Sequence, residues 1–237
     1  PRCELLCVVL SGRADIAAAA QEFKNVGRRG EVWEGPADSV YCGTCPRVTV
    51  RALRDGTEVA VAGGQCERPF APFRIAPEEV EVEEASAPDR HARHRTHQIL
   101  GRNAEGRAGF LLVSELFVAE GCWAGYPPHK HDTERPPDES DFEAVYHYRF
   151  RPETGFGAQL CYGDNGTQPK AMMTQHRDTL IIDRGYHPAV TSPGHEGYLL
   201  MILVGRQQRT LRRYFDPKHC HLQARIAGIG QTNAPGR

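Results

Sequence analysis

The chain has 237 residues with 29 basic and 30 acidic side chains, which gives a formal net charge of −1. This length can bury a core in one large domain or in two small ones. Because basic and acidic residues are interleaved throughout and form no basic stripe, nucleic acid is not an expected partner. The longest apolar run, 198–204, is far shorter than the roughly 20 residues of a membrane-spanning helix, so no membrane partner is expected.

The chain begins at Pro1, directly before the strand-like CELLCVVL, with no methionine and no signal core. We therefore expect a chain that is truncated or processed partway into a domain. Its eight cysteines fall below the density of a disulfide scaffold, which favours free thiols and a cytoplasmic location. The lone pair Cys42 and Cys45 is expected in a turn between two strands, because a zinc ribbon needs a second pair.

In chain order, 24 glycines and 17 prolines separate short runs of β-branched, leucine and aromatic residues. This punctuation predicts an antiparallel all-β fold. The predicted strands are 4–10, 39–42, 47–53, 58–62, 110–119, 142–150, 158–162, 171–174, 179–183, 190–191 and 197–205. Two short helices are predicted: 15–23, from the high helix propensity of its AAAA run, and 77–80.

A polar, charged segment between the strands ending near Ala62 and starting near Phe110 marks a boundary. The expected organisation has four parts: an N-terminal, structural β half at 1–75, a linker at 76–108, a second β domain at 109–225 and a mobile tail at 226–237. His91, His94 and His97 lie in the linker with i, i+3, i+6 spacing, which favours a solvated segment over a metal trio.

The strongest chemical pattern is the segment YPPHKH at 126–131. On a strand, residues i and i+2 point the same way, so His129 and His131 can converge on one ion while Lys130 faces away. Several carboxylates follow, and then the single His187 in a turn-like segment; the carboxylates are Asp132, Glu134, Asp138, Glu139, Asp141 and Glu143. Ligands from two separate hairpins leave coordination positions open, which is typical of a catalytic metal site.

Several segments together carry a resemblance to a known family. They are YPPHKHD, EAVYHYRF, the Gly-Phe-Gly turn at 155–157, DRGYHPAVTSPGHEGYLLMILVG and the ending with Asp216, Pro217 and His219. They resemble 5-deoxy-glucuronate isomerase of myo-inositol catabolism, a bicupin family related to 5-keto-4-deoxyuronate isomerase. The N-terminal LLCVVLSGRADI and EVWEGPADSVYCGTCPRVTV are similar to the first cupin half of that family. The resemblance implies two double-stranded β-helix barrels, the N-terminal one incomplete.

The resemblance also implies one divalent metal ion, which could be Zn, Mn, Fe or Ni. Its ligands would be His129, His131, His187 and a glutamate. The family carries two adjacent acidic residues before the aromatic strand, and here that pair is Glu143-Ala144. Glu143 is the expected fourth ligand, and strand alternation requires a register shift or a bulge to turn it inward. Glu134 and Glu139 are the alternatives.

The family reaction interconverts an aldose and a ketose, from 5-deoxy-glucuronate to 5-keto-2-deoxygluconate. A group must carry a proton between neighbouring carbons, and Glu134 and Tyr146 are the candidates. The substrate carboxylate requires a cation; the candidates are Arg93, Arg95, Arg184 and Lys130. The alternative function is a cupin that binds a sugar acid at a degenerate metal site without turnover. Exposed sheet edges in the N-terminal half would favour a homo-oligomer.

Overall fold

The computed structural model describes residues 2–85 and 92–225, so the expected mobile tail at 226–237 and His91 lie outside the described residues. The described chain is all-β, with short 3₁₀ helices and no α-helix in those ranges. None of its helices is long and apolar enough to cross a membrane. All eight cysteines lie within these ranges as free thiols.

The strands are β1 Cys3–Ser11, β2 Ala14–Ala18, β3 Gln21–Val26, β4 Asp38–Gly43, β5 Val48–Ala52, β6 Glu58–Gln65, β7 Phe73–Ile75, β8 Glu81–Ala85, β9 His94–Leu100, β10 Leu111–Val118, β11 Trp123–Ala124, β12 His129–Lys130, β13 Phe142–Arg151, β14 Phe156–Cys161, β15 Lys170–Gln175, β16 Thr179–Ile182, β17 Ala189–Thr191, β18 Glu196–Gly205 and β19 Tyr214–Phe215. The 3₁₀ helices are Val32–Glu34, Pro77–Glu79, Arg102–Ala104, Asp164–Gly166 and Cys220–Arg225. Each predicted strand therefore has an observed counterpart.

The chain forms two compact units. Unit 1 contains Pro1–Glu81 and His97–Ser114, and unit 2 contains Val82–Thr96 and Glu115–Arg237. This division differs from the expected linker at 76–108, because β8 and β9 occupy much of that segment. His97 and Ile99 are buried in β9, so the prediction of a solvated segment around the three histidines is wrong at this strand. The charged residues next to them obscure the alternating pattern of a strand in the sequence.

Unit 1 contains a four-stranded sheet of order β6-β1-β4-β7 and a three-stranded sheet of order β3-β2-β5. The pairs within both sheets are antiparallel. Strands of the two sheets share one apolar core; its buried members are Cys7, Val9, Ala14, Ile16, Ala18, Val26, Val40 and Cys42. The pair Cys42 and Cys45 spans the end of β4 and the following turn, as the sequence predicts.

The predicted helix 15–23 is wrong, because this stretch is the β2–β3 hairpin. Its alanines favour a helix, but burial follows a period of two along Ala14, Ile16 and Ala18. Ala18 pairs with Gln21, and Ala19 turns the chain with a φ of +53°. Packing of one strand face against the core therefore overrides the intrinsic helix propensity of this segment.

In unit 2, the aromatic strand β13 lies between β16 and β18 in one sheet. A four-stranded sheet of order β11-β17-β14-β15 and the short pair β12-β19 complete this unit. The inward face of β13 is buried; its members are Phe142, Ala144, Tyr146, Tyr148 and Phe150. The predicted alternation of β13 is confirmed, and the register with β18 runs through without interruption from Phe142 to Arg151.

Candidate metal and active site

Three histidines from separate parts of the chain meet in unit 2. His129 lies on β12, His131 follows that strand directly, and His187 lies in the turn before β17. The ring centroids are 6.4 Å apart for His129 and His131, 5.1 Å for His129 and His187, and 4.8 Å for His131 and His187. The structure therefore brings together the three histidines that the sequence singled out.

Each imidazole directs its Nδ1 atom at a main-chain carbonyl oxygen. The pairs are His129 with Pro127 at 3.3 Å, His131 with Phe142 at 3.2 Å and His187 with Gly185 at 2.8 Å. A carbonyl accepts a proton from Nδ1, which leaves Nε2 as the ring's lone-pair donor. The Nε2 atom of His187 is buried and has no hydrogen-bond partner among the described residues.

The surroundings keep all three imidazoles uncharged at neutral pH. Burial is the main cause that lowers the pKa of His129 well below its usual value, the pKa of His131 to about 3, and the pKa of His187. The positive charge of Arg213 lowers each of these pKa values further. Since only a neutral imidazole offers a lone pair, the cluster is prepared to bind a cation.

Asp132 joins the loop after β12 to the turn that carries His187. Its Oδ2 atom accepts a 2.6 Å hydrogen bond from the Gly185 N–H, and its Oδ1 atom accepts one of 2.9 Å from Lys130. Burial raises the pKa of Asp132, but these hydrogen bonds outweigh burial and the pKa falls to about 2. Because the Gly185 carbonyl also holds His187, Asp132 positions His187 relative to His131.

A second support reaches His187 from β13 and β14. The Tyr148 hydroxyl donates a 2.6 Å hydrogen bond to Gln159, whose side-chain amide donates one of 2.8 Å to the His187 carbonyl. Gln159 is fully buried. Gly125, with a φ of +60°, lies so close that a Cβ atom there would be 3.2 Å from the same carbonyl oxygen. The turn is thus fixed by contacts from three sides.

The structure disagrees with Glu143 as the fourth ligand. Its side chain is 57% exposed and pairs with Arg206. No bulge turns it inward, because β13 and β18 pair residue by residue at this point, and Ala144 takes the inward position instead. The alternative Glu139 is buried but is bound by Arg135 and by the Asp132 N–H, so its carboxylate belongs to the loop.

The two predicted proton-transfer residues differ in their surroundings. Glu134 accepts hydrogen bonds from the Asp141 N–H at 3.0 Å and from the side chain of Gln208, so both of its oxygens serve the loop. Tyr146 is buried on the inward face of β13 with its ring centroid 6.0 Å from that of His187. Burial raises the pKa of Tyr146, and its hydroxyl stays protonated at neutral pH. The structure brings Tyr146 to the histidines but gives Glu134 a role in the loop.

The cations proposed for a substrate carboxylate are also spread out. Lys130 is buried among acidic groups on the far side of the strand, and the Arg95 guanidinium lies 4.9 Å from the Phe117 ring. Arg184 is exposed and borders a shallow pocket; the other lining residues are His131, Asp132, Phe142, Ile182, Asp183, Gly185 and His187. The Arg93 carbonyl accepts a hydrogen bond from the Ala119 N–H.

Arg213 is the residue that the sequence reading missed. Its charge acts on all three histidines and on Tyr146, and it immediately precedes β19, which pairs with β12. The available signal was its position two residues before Phe215 in an extended segment, which places both side chains on one face. This spacing points to the histidines only once the pairing of β19 with β12 is known.

The donor chemistry of this cluster fits a divalent metal ion. Three neutral imidazoles, one with a buried unpartnered Nε2 atom, are suitable ligands for Zn, Mn, Fe or Ni. Across residues 2–85 and 92–225, however, no group of three or more His, Cys, Asp or Glu side chains is placed to hold an ion as it stands. With Glu143 facing outward, the structure brings together three of the four predicted ligands, which are His129, His131 and His187.

Comparison with known proteins identifies relatives over most of the chain. The profile described as the KduI/IolB family matches residues 1–222. A protein named 5-deoxy-glucuronate isomerase from Geobacillus kaustophilus (strain HTA426) is 36% identical over 217 residues, which are 91% of this chain and 76% of that protein. The similarity therefore includes both units and every residue of the histidine cluster.

Solved structures agree with this result. The crystal structure of an IolB-like protein from Salmonella typhimurium LT2 has a TM-score of 0.87 and 31% sequence identity, and the match covers 94% of this chain and 82% of that one. An oxalate decarboxylase mutant from Bacillus subtilis has a TM-score of 0.59 at 11% identity, covering 100% of this chain and 76% of the other. This second likeness concerns the fold alone, which is cupin-like.

Proposed function

From the premise that the chain belongs to the KduI/IolB family and is an isomerase, we propose that it converts 5-deoxy-glucuronate to 5-keto-2-deoxygluconate with the help of one divalent metal ion. The observation that carries this proposal is the meeting of His129, His131 and His187 beside Tyr146. We place the reaction in cytoplasmic inositol catabolism. The two units would be two cupin barrels, the first incomplete and structural.

The three histidines would hold the metal through Nε2, since their Nδ1 atoms face carbonyl oxygens. A metal held there would supply the polarisation of a carbonyl and the stabilisation of negative charge on oxygen that an aldose-ketose interconversion requires. The lowered pKa values of the imidazoles keep protons from competing for these atoms at neutral pH.

Tyr146 supplies a proton donor on the inward face of β13. Its phenol is protonated at neutral pH because burial raises its pKa, so its hydroxyl donates a hydrogen bond or a proton to a substrate oxygen. Its ring centroid lies 6.0 Å from that of His187, so the phenol is close to the imidazoles. A buried hydrogen-bond donor at this position would stabilise the negative charge that develops on a substrate oxygen during the reaction.

A second candidate function is supported by the inward position of Ala144. If the three histidines bind no metal, the protein would bind a sugar acid without turning it over. The absence of a ready ligand group among the described residues and the outward position of Glu143 favour this alternative. The two functions differ in metal content and in turnover, so one pair of measurements separates them.

The test is proton NMR of 5-deoxy-glucuronate incubated with the full chain, together with elemental analysis of protein purified without added metal. We expect loss of the substrate's aldehyde and anomeric signals and about one divalent ion per chain. His131→Ala should lose most of the metal and the activity. Unchanged substrate signals would exclude the isomerase, and stoichiometric metal in His131→Ala would show that the ion lies elsewhere.

A further inference from the structure

The segment before β19 lies alongside the histidine strand in a defined register. Antiparallel pairing aligns His129 with Phe215 and Lys130 with Tyr214. The rings of His129 and Phe215 are 5.5 Å apart, whereas Lys130 Nζ lies 6.0 Å from the Tyr214 ring. The histidine side of this strand pair therefore carries Phe215, and the opposite side carries Tyr214.

The same alternation, continued one residue beyond β19, would place Arg213 on the histidine side. The neighbouring residue anchors this backbone, because the Arg212 N–H donates a 2.7 Å hydrogen bond to Ser140 Oγ and the Arg212 carbonyl accepts one of 3.2 Å from the Ser140 N–H. The residue Arg213 is partly exposed to solvent, although burial lowers the pKa of its guanidinium.

The charge of Arg213 is felt throughout the cluster. It acts on the three imidazoles and on the Tyr146 phenol, all of which are neutral at pH 7. Glu83 on β8 also acts on this guanidinium. A cation next to the histidine strand attracts an anionic group of a ligand that reaches the histidines.

We infer that Arg213 is the residue that binds the carboxylate of the sugar acid and thereby sets which end of the substrate faces the histidines. This inference rests on the proposed function, since a sugar-acid substrate supplies the anion. A guanidinium binds a carboxylate through two parallel hydrogen bonds, which fixes the direction of the ligand as well as its charge. With the acid end held at Arg213, the remote aldehyde end would face His187 and Tyr146.

The test compares binding of 5-deoxy-glucuronate with binding of its methyl ester, which lacks the negative charge, by titration calorimetry. Wild-type protein should prefer the acid by about 10- to 100-fold. Arg213→Gln should bind both compounds about equally, and Arg213→Lys should recover part of the preference because it restores the charge without the planar fork. Arg212→Gln removes the same charge one residue away and should keep the wild-type preference.

Far-UV circular dichroism and thermal melting of each variant confirm that it is folded. The inference is overturned if wild type shows no preference for the acid, if Arg213→Gln keeps the preference, or if Arg184→Gln loses it instead. Turnover is measured separately by proton NMR. If Arg213→Gln loses the preference for the acid and wild type shows no turnover, the assignment of Arg213 is upheld and the isomerase is excluded. If wild type turns the substrate over and Arg213→Gln keeps the preference for the acid, the isomerase is upheld and the assignment of Arg213 is excluded.

Discussion

The orientation of single imidazole rings determines what the cluster can bind. His131 and Phe142 are joined twice, since the Phe142 N–H donates a 2.8 Å hydrogen bond to the His131 carbonyl and the Phe142 carbonyl lies 3.2 Å from the His131 ring. This double link fixes both the backbone and the ring at the start of β13. A histidine that binds a metal needs the correct tautomer as well as the correct position. The carbonyl that accepts a hydrogen bond from its other ring nitrogen therefore also contributes to metal affinity.

Glu143→Gln tests the outward position of this carboxylate. We expect metal content and turnover to stay near wild type, because the side chain pairs with Arg206 at the surface. The loss in stability should be small, at most about 1 kcal/mol, as is usual for an exposed ion pair. His131→Gln is the matched control, since it removes a buried side chain of the cluster and should abolish metal binding. Loss of metal from Glu143→Gln, measured by elemental analysis, would restore Glu143 as a ligand.

At the scale of elements, the site depends on how a short strand and a turn are tied together. β12 has only two residues, and β19, with which it pairs, also has two. Such a short pair contributes few main-chain hydrogen bonds of its own, so side chains must hold it. Asp132 does this by joining Lys130 on β12 to Gly185 in the His187 turn.

Asp132→Asn tests this link. The substitution removes the charge that Lys130 and the Gly185 N–H stabilise, and it should lower the free energy of unfolding at pH 7 by about 1–3 kcal/mol. The pKa of Asp132 is about 2, below its ordinary value of 3.8, so its contribution is full above pH 3.8 and is lost as the pH falls through 2. The difference between variant and wild type in urea unfolding should shrink over that window.

The same experiment has a matched control in Asp138→Asn, which changes an exposed carboxylate of the same loop. This variant should unfold like wild type at every pH. Asp132→Asn should also weaken metal binding, because His187 loses its fixed position relative to His131. Equal stability of Asp132→Asn and wild type at pH 7 would contradict the proposed link.

At the scale of the whole molecule, the chain passes three times between the two units, near residues 81, 96 and 114. The sequence contains no histidine before His91, and the histidine cluster belongs entirely to unit 2. Unit 1 is instead organised by apolar packing and by the buried Glu4, whose carboxylate accepts hydrogen bonds from Tyr41 and from the Gly109 N–H. We therefore expect a bound metal to stabilise unit 2.

Metal removal tests this expectation. At a free metal concentration about 100 times its Kd, binding adds about 2.7 kcal/mol to the folded state. For a chain of this size that is a fall in Tm of about 5–10 °C after chelation, measured by scanning calorimetry and reversed by adding zinc. His131→Ala is the control and should show no change on chelation. An identical Tm with and without metal in wild type would favour the sugar-acid binding protein.

The sequence by itself determined most of the strand pattern and the identity of the histidines. Period-two burial and turn residues are local properties, so β1, β4, β13 and β18 are recognisable from short windows of residues. The spacing of His129 and His131 is local in the same sense. The prediction of a helix at 15–23 was wrong for a related reason. Helix propensity is also a local property, and here the contacts of this segment with distant strands in the core outweigh it.

Only the tertiary structure decided which residues share the cavity. Whether Glu143 or Ala144 faces inward depends on the register of β13 with β18, and the nearness of Arg213 to the histidines depends on the pairing of β12 with β19. Both are contacts between segments far apart in the chain. Since strand pairing joins residues that no short window contains, the outward position of Glu143 and the place of Arg213 next to the histidine strand became visible only when the sheets were assembled.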